Sequence, residues 1–245
     1  MDLHICHLYP DLLNLYGDRG NLMALAQRAR WRGIDLRIEE CRLGDRLHSG
    51  YDLYFIGGGE DRQQRLAARD LQDGKGGVLC EAAERDAVIL AVCGGYQLLG
   101  HYYRPSDGAD LPGIGLLDLT TVHPGPGARR LIGNIIIRGE VLGGRTLVGF
   151  ENHGGRTHLG PQATPLGTVV RGFGNNGADR SEGAMHRHVY GTYLHGPLLP
   201  KNPHFTDHLI ATALRRRYGE VTLAHLDDRA EVTAHTAALA RAGGR

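Results

Sequence analysis

Two residues of the sequence could carry out nucleophilic chemistry, and the first is Cys93. It follows the apolar run Ala87–Val92 and precedes two glycines and a helix-like run, Tyr96–Gly100. A short apolar run bounded by glycine is typical of a buried strand in a parallel sheet, which places Cys93 at a sharp strand-to-helix turn. The N–H groups and the dipole of the following helix favour the thiolate there. The pattern predicts a cysteine nucleophile, and an inert buried cysteine is the alternative.

The second candidate is His195, which ends the strand-like run YGTYLH and precedes Gly196 and Pro197. Ligands of open α/β sheets bind at the carboxyl ends of the strands, so His195 can meet Cys93 in space. An imidazole there would take the thiol proton and later deliver it to the leaving group. The alternative is a hydrogen-bonded histidine at the surface.

Three consecutive glycines, Gly57, Gly58 and Gly59, follow the predicted strand Asp52–Ile56. Successive backbone N–H groups in such a turn can bind an anion. A phosphate-binding P-loop would continue with Gly-Lys-Ser/Thr, which this turn lacks. We therefore predict an oxyanion-type site here, with a glycine-rich turn that binds nothing as the alternative.

The composition and net charge exclude several classes of protein. The chain has 245 residues, a net charge of +1 and ordinary hydrophobic and charged contents of 41% and 22%, so we expect neither nucleic-acid binding nor membrane insertion. Four cysteines without a CxxC pair, and an N-terminus unlike a signal peptide, indicate a reduced cytoplasmic protein. The fourteen histidines show no known ligand spacing, so no metal site is expected.

The first half of the chain alternates strand-like and helix-like runs, which predicts a parallel sheet with right-handed crossovers. The predicted strands are Leu3–Tyr9, Ile34–Cys41 and Asp52–Ile56, and the helices are Leu22–Arg32, Asp61–Leu71 and Gly77–Arg85, with a polar loop at Asn14–Asn21.

Strand-like runs separated by Gly and Pro fill the second half from Ile114 to Tyr193, and we expect them to extend or flank the sheet. A helix opens at Pro203, and a more polar last helix, Ala230–Arg241, should be peripheral. The predicted apolar face of the Pro203 helix comprises Leu209, Ile210, Ala213, Leu214 and Tyr218. We expect one α/β domain over residues 1–245.

Seven strings of the sequence, in order, resemble the class I glutamine amidotransferases of the cobyric acid synthase type. They are NLYGDRGN, FIGGGEDRQQ, CGGYQLLG, RRLIGN, VGFENHGGRT, GFGNNGAD and GTYLHGPLLPKNP. The resemblance covers nearly the whole chain and is greatest to the glutaminase subunits of lipid II isoglutaminyl synthases. It implies a three-layer fold, in which helices flank a mostly parallel central sheet and additional strands come from the second half.

The resemblance also implies roles for the residues of the two turns. Cys93 would attack the carboxamide of L-glutamine to form a γ-glutamyl thioester. His195 would deprotonate the thiol and protonate the departing ammonia. Backbone N–H groups of Gly57–Gly59 and of Gly94 would form the oxyanion hole.

Other residues would bind or surround the substrate. Arg130, in RRLIGN, would hold the substrate glutamine, and Arg129 is the less favoured neighbour. A guanidinium fork suits the α-carboxylate of a free amino acid, although a solvated arginine at a strand start is the alternative. Gln97 and Glu151–Gly155 would line or support the pocket.

The acid that orients the histidine departs from the usual pattern. Many class I amidotransferases carry a Glu two residues after the His, where this chain has Pro197. Asp18 and Glu151 are candidates within the chain. The resemblance suggests instead an aspartate supplied by a partner subunit, which would couple activity to assembly.

The acceptor and the partner are implied by the resemblance alone. The chain has no ATP-binding motif that we recognise, and a carboxylate must be activated before it is amidated. The implied partner is a Mur-ligase-like (MurT-type) synthetase subunit that binds ATP and Mg²⁺ and amidates the D-glutamate α-carboxylate of lipid II to D-isoglutamine. That acceptor would bring the protein near the inner face of the membrane.

Three other functions are left open. The same glutaminase could serve corrinoid amidation, although cobyric acid synthases usually carry a fused upstream synthetase domain, which this chain lacks. A binding module that has lost catalysis would typically lack Cys93 or His195. A cysteine peptidase on the same fold would leave Arg130 without a purpose.

Overall fold

The computed structural model describes residues 1–243, without the side chain of residue 140. Its strands are β1 (Asp2–Leu8), β2 (Asp35–Cys41), β3 (Leu53–Ile56), β4 (Val88–Val92), β5 (Tyr102–Arg104), β6 (Leu111–Pro112), β7 (Leu119–Val122), β8 (Leu131–Arg138), β9 (Thr146–His153), β10 (Arg156–Leu159), β11 (Gly167–Arg171), β12 (Ser181–Glu182), β13 (Ala184–His186) and β14 (Val189–Thr192). Its helices are α1 (Arg19–Arg30), α2 (Asp61–Asp70), α3 (Gly76–Glu84), α4 (Gly94–Leu98), α5 (Leu198–Lys201), α6 (Pro203–Tyr218) and α7 (Arg229–Gly243).

A six-stranded sheet with the order β13-β14-β4-β3-β1-β2 forms the centre of the molecule. All its neighbouring pairs are parallel except β13 and β14. Every residue of β3 and β4 is buried, which explains why both strands are continuous apolar runs. Because β3, β4 and β14 are neighbours, the segments that follow them leave the same edge of the sheet. The predicted α/β fold with a mostly parallel central sheet is confirmed.

The second half of the chain contributes less to this sheet than the sequence suggested. Only β13 and β14 extend it. The other strands form two separate four-stranded sheets, with the orders β10-β7-β5-β6 and β12-β11-β8-β9. In the second of these sheets, β8 and β9 pair in antiparallel fashion along all eight residues of each strand. Such pairing fits their partly alternating burial, which suits a sheet with one covered face.

Several boundaries in the first half also differ from the expected ones. α1 begins at Arg19 rather than Leu22, so the expected loop Asn14–Asn21 contains a 3₁₀ turn (Leu15–Gly17) and the start of a helix. The side chain of Asn14 accepts a hydrogen bond from the Arg19 N–H at 2.9 Å, which satisfies one of the free donors at the helix start.

The turn after β4 is tighter than expected. α4 begins at Gly94 rather than Tyr96, so Cys93 directly precedes the first helical residue. α2 and α3 are joined by a π-helical turn, Leu71–Lys75. β14 ends at Thr192, three residues before the expected end at His195.

The last two helices pack on the body of the protein. Four of the five residues predicted for the apolar face of α6 are buried, and Tyr218 is the exception at 39% exposure. The hydroxyl of Tyr218 accepts a hydrogen bond from the Asp2 N–H at 3.0 Å. α7 is mostly exposed, as expected, but its Ala242 packs on Ile136 and Val148. Within residues 1–243, no helix has the length and apolarity needed to cross a membrane.

Candidate active site

Cys93 lies in a strained turn at the end of β4. Its φ of +49° is unusual for a residue other than glycine and costs on the order of 1–3 kcal/mol. Two backbone hydrogen bonds hold the turn, from the Cys93 N–H to the Thr192 carbonyl at 2.8 Å and from the Gly95 N–H to the Gly57 carbonyl at 3.1 Å. A Cβ atom at Gly95 would lie 2.6 Å from Ile56 Cγ2. The glycine therefore allows the helix to start close against β3.

His195 reaches the same place from the segment after β14. Its backbone pairs with Phe150 of β9, through N–H to carbonyl hydrogen bonds of 2.8 and 3.2 Å, and its side chain is fully buried. A Cβ atom at Gly58 would lie 3.0 Å from His195 Cε1 and 3.2 Å from Cys93 Cβ. Gly58 thus packs against both side chains, and a Cβ atom at this position would crowd them.

Asp18, at the start of α1, is the acid nearest to the histidine. Its Oδ1 lies 3.5 Å from His195 Nδ1, and both side chains are fully buried. Its Oδ2 accepts a hydrogen bond from the Gly58 N–H at 2.6 Å. Within residues 1–243, neither His195 Nδ1 nor Asp18 Oδ1 has a hydrogen-bond partner. The two groups are therefore close enough for an ion pair but are not aligned as a hydrogen bond.

The electrostatics of the cluster favour a charged histidine. Burial lowers the pKa of His195, but the negative charges of Cys93 and Asp18 outweigh burial and raise the pKa to about 10. A carboxylate on one side and a thiolate on the other stabilise imidazolium. The arrangement therefore favours the imidazolium form of His195.

Not every N–H group of the glycine turn is free to bind an oxyanion. The Gly58 N–H, which we expected to face the substrate, is bound by Asp18. Gly57 is packed instead, since a Cβ atom there would lie 2.2 Å from the Leu13 carbonyl oxygen. The N–H groups of Gly59 and Gly94 have no acceptor among the described residues. Both N–H groups are free to donate to a developing oxyanion.

Arg130 lines the same cavity as Cys93, which has a volume of about 580 Å³. Its Nε donates to Asn152 Oδ1 at 2.9 Å, and its Nη2 donates to the Asn152 carbonyl at 3.0 Å. The side chain is exposed, so the guanidinium keeps donors for a ligand. A cation and the thiol therefore line the same cavity.

Gln97 also lines this cavity and is held by buried neighbours. Its Oε1 accepts from Gln64 Nε2 at 2.7 Å, and its Nε2 donates to the Tyr193 hydroxyl at 3.1 Å. The Gln64 amide lies 3.3 Å from the Gly94 carbonyl as well. These contacts give Gln97 a fixed orientation beside the nucleophile turn.

The structure contradicts Glu151 as the acid that supports His195. Its Oε1 accepts the Phe173 N–H at 2.7 Å, and its Oε2 accepts the Gly174 N–H at 2.9 Å. Glu151 is buried, and these bonds satisfy a carboxylate that would otherwise be costly to bury. Its role is to hold the turn after β11.

Sequence reasoning missed Glu182, which lies behind the histidine segment. Its carboxylate accepts from the Tyr193 N–H at 2.7 Å and from the Thr192 hydroxyl at 3.0 Å. Burial raises the pKa of Glu182 to about 8. The surrounding string SEGAM has no pattern that would have identified a buried acid.

A larger cavity of about 880 Å³ lies between α6 and α7, and none of the strand-end residues described above lines it. Among residues 1–243, no three His, Cys, Asp or Glu side chains are placed to hold a metal ion together.

The sequence matches one family of known proteins. Residues 4–203 match the CobB/CobQ-like glutamine amidotransferase domain, and this range contains Asp18, Cys93 and His195.

Two similar proteins match over most of their length. One is the subunit GatD of the glutamine-hydrolyzing lipid II isoglutaminyl synthase of Staphylococcus aureus, which is 42% identical over 98% of this chain and 96% of that protein. The same subunit of Streptococcus pneumoniae is 40% identical over 89% of this chain and 83% of its own. A probable cobyric acid synthase of Methanothermobacter thermautotrophicus is 36% identical, over 59% of this chain and 30% of that protein.

Solved structures support the fold at low sequence identity. The PurLQS structure from Thermotoga maritima has a TM-score of 0.56 at 20% identity, over 80% of this chain and 88% of that chain. A glutamine amidotransferase from the same organism has a TM-score of 0.55 at 14% identity, over 99% of both chains.

Proposed function

The chain belongs to the CobB/CobQ-like glutamine amidotransferases and is a glutamine-hydrolysing enzyme, and we propose that it acts through a thioester on Cys93. The observation that carries this proposal is that Cys93 and His195 lie against each other beside Gly58. Cys93 also lines the cavity that Arg130 lines, and the buried His195 lies behind it.

The reaction follows from this arrangement. Arg130 binds the α-carboxylate of L-glutamine, and the carboxamide reaches the thiolate of Cys93. Attack forms a carbon–sulfur bond, and the oxyanion is stabilised by the N–H groups of Gly59 and Gly94. The imidazolium of His195 then protonates the nitrogen, and ammonia leaves.

Hydrolysis of the γ-glutamyl thioester regenerates the enzyme. His195, now neutral, takes a proton from water, and the resulting hydroxide attacks the thioester carbonyl. Collapse of the intermediate releases glutamate and the Cys93 thiolate, and the proton remains on His195. The second half-reaction uses the same oxyanion donors.

Asp18 is the orienting acid in this proposal. A carboxylate next to Nδ1 selects the tautomer and stabilises imidazolium, and the 3.5 Å separation needs only a small adjustment. An aspartate from the partner subunit, which the family resemblance suggests, is the rival. The two differ in whether the chain alone hydrolyses glutamine.

The ammonia would pass to a Mur-ligase-like synthetase subunit. The names of the two relatives at 42% and 40% identity support lipid II isoglutaminyl synthase as the complex. The synthetase would bind ATP and Mg²⁺ and activate the D-glutamate α-carboxylate of lipid II, which ammonia then converts to D-isoglutamine.

Labelling with 6-diazo-5-oxo-L-norleucine, a reactive glutamine analogue, tests the glutaminase site. We expect a single adduct on Cys93, found by mass spectrometry, and protection by excess L-glutamine. The proposal would be contradicted if the reagent modified Cys6, Cys41 or Cys80 as fast as Cys93. It would also be contradicted if L-glutamine gave no protection. A binding module or a peptidase would also give no glutamine-protected adduct.

A further inference from the structure

We propose that Tyr16 is a positioning residue that couples recognition of the substrate α-carboxylate at Arg130 to the orientation of His195. The proposal rests on the proposed glutaminase function. It concerns a tyrosine that belongs to neither the nucleophile turn nor the glycine turn.

Tyr16 lies in the 3₁₀ turn Leu15–Gly17 and is held in an unusual conformation. Its φ is +54°, a left-handed value that costs a non-glycine residue on the order of 1 kcal/mol or more. Its side chain is 45% exposed, so burial in a core does not account for the strain. The strain instead places a large ring at the mouth of the cavity.

The ring of Tyr16 contacts the catalytic histidine. The ring centroids of Tyr16 and His195 are 5.0 Å apart, with an interplanar angle of 69°. The ring also contacts Phe150 at 6.3 Å, the residue whose backbone pairs with His195. Edge-on contacts of this kind are favourable and depend on orientation. Tyr16, which lines the cavity, therefore packs against the imidazole and restricts its orientation.

The hydroxyl of Tyr16 is joined to Arg130 through Asn152. Asn152 Nδ2 donates to the Tyr16 hydroxyl at 2.6 Å, and Asn152 Oδ1 accepts from Arg130 Nε at 2.9 Å. Arginine can only donate, so the amide oxygen must face Arg130 and the amide NH₂ must face Tyr16. The donor and acceptor in each of these hydrogen bonds are thus fixed by chemistry. The proton of the Tyr16 hydroxyl is not used in them.

A carboxylate that draws the guanidinium of Arg130 also moves the amide of Asn152, because two hydrogen bonds join these residues. The amide in turn moves the ring of Tyr16, which lies against His195. A substrate without an α-carboxylate does not bind the guanidinium of Arg130, so it causes no such movement of Asn152 and Tyr16. The network therefore favours free amino acids over simple amides in the rate of the chemical step as well as in affinity.

The test compares two alkylating reagents on the full chain. The reagent 6-diazo-5-oxo-L-norleucine carries the α-carboxylate, and iodoacetamide does not. Tyr16→Phe keeps the ring but loses the bond to Asn152. We expect it to slow labelling of Cys93 by the diazo compound about fivefold or more, and to leave labelling by iodoacetamide within about twofold. Tyr16→Ala, which also removes the ring, should slow both reagents.

A double-mutant cycle separates coupling from a general structural effect. In an Arg130→Ala background, Tyr16→Phe should change the rate with the diazo compound by less than about twofold, because the arginine end of the hydrogen-bond network is already missing. Tyr218→Phe is the matched control, since it removes the hydroxyl of another exposed tyrosine that makes a hydrogen bond far from the site. It should leave both reagents unaffected.

Other outcomes overturn the proposal. If Tyr16→Phe slows both reagents equally, or slows the diazo compound by the same factor with and without Arg130, Tyr16 has only a structural role. If iodoacetamide labels wild-type Cys93 but the diazo compound does not, the proposed glutaminase function itself fails.

Discussion

Asp18 and His195 lie 3.5 Å apart in a fully buried ion pair, and the same carboxylate binds the Gly58 N–H at 2.6 Å. One carboxylate thus contacts both the imidazole of His195 and the backbone of the glycine turn. In many class I amidotransferases a Glu two residues after the His supplies the acid, and the resemblance implied a partner subunit. Here the start of α1 brings an acid to the site from the other end of the chain.

Replacing Asp18 by Asn should lower kcat/KM for glutamine hydrolysis by at least about tenfold. The carboxylate raises the pKa of His195, so its loss lowers that pKa, and imidazolium is lost at a lower pH. The alkaline limb of the pH–rate profile should therefore move to lower pH. Glu151→Gln is the control, since Glu151 holds a backbone turn, and it should leave that limb in place. An unchanged limb in Asp18→Asn would argue for an acid in trans.

Gly58→Ala should reduce glutamine hydrolysis by at least about tenfold, because the added methyl would press on both reacting side chains and displace them, and catalysis does not tolerate such a misplacement. The new Cβ would lie 3.0 Å from His195 Cε1 and 3.2 Å from Cys93 Cβ. Gly77→Ala in α3 is the matched control, since its Cβ would meet nothing within 4 Å. That change should keep activity and stabilise the helix by about 0.5–1 kcal/mol. Full activity in Gly58→Ala would contradict the arrangement.

Arg130→Lys should raise the KM for glutamine by about tenfold or more, since an ammonium cannot replace the planar fork at a carboxylate. Labelling of Cys93 by iodoacetamide should stay unchanged, because that reagent has no carboxylate. The neighbouring variant Arg129→Lys serves as control and should leave KM unaffected. The assignment of Arg130 fails if the two variants behave alike in steady-state kinetics.

Glu182 should make the free energy of unfolding depend on pH at values above those at which ordinary carboxyl groups titrate. Its pKa rises from 4.5 to about 8 on folding, so the folded state retains a proton that the unfolded chain has lost. The stabilisation is full below pH 4.5 and is lost as pH rises through 8. Urea unfolding at pH 5 and pH 9 should therefore show a smaller loss in Glu182→Gln than in wild type. Equal losses would mean that Glu182 is ionised throughout.

The parts of the site that follow strand ends could be predicted from the sequence. Cys93 and Gly57–Gly59 are preceded by apolar runs, and the parallel order of strands brings such turns together. His195 was expected there too, although its strand ends at Thr192 and its position depends on pairing with Phe150 of another sheet. That pairing has no signal in the local pattern.

The contacts between distant segments could not be predicted from the sequence. Asp18 and Glu151 were equally good candidates, because nothing local shows which backbone N–H groups each carboxylate will bind. Three other features also had no signal in the sequence: the hydrogen bond from the Gly58 N–H to Asp18, the burial of Glu182, and the contact of Tyr16 with His195. Each one depends on tertiary packing between elements far apart in the chain.

The most direct test of the central claim is glutamate release from L-glutamine by the purified chain, alone and with its synthetase subunit. Wild type, Cys93→Ala and Asp18→Asn should be measured side by side. We predict measurable release by the wild-type chain alone, none by Cys93→Ala, and a strong loss in Asp18→Asn. Release that requires the synthetase subunit and is unaffected by Asp18→Asn would contradict the claim that this chain supplies its own acid.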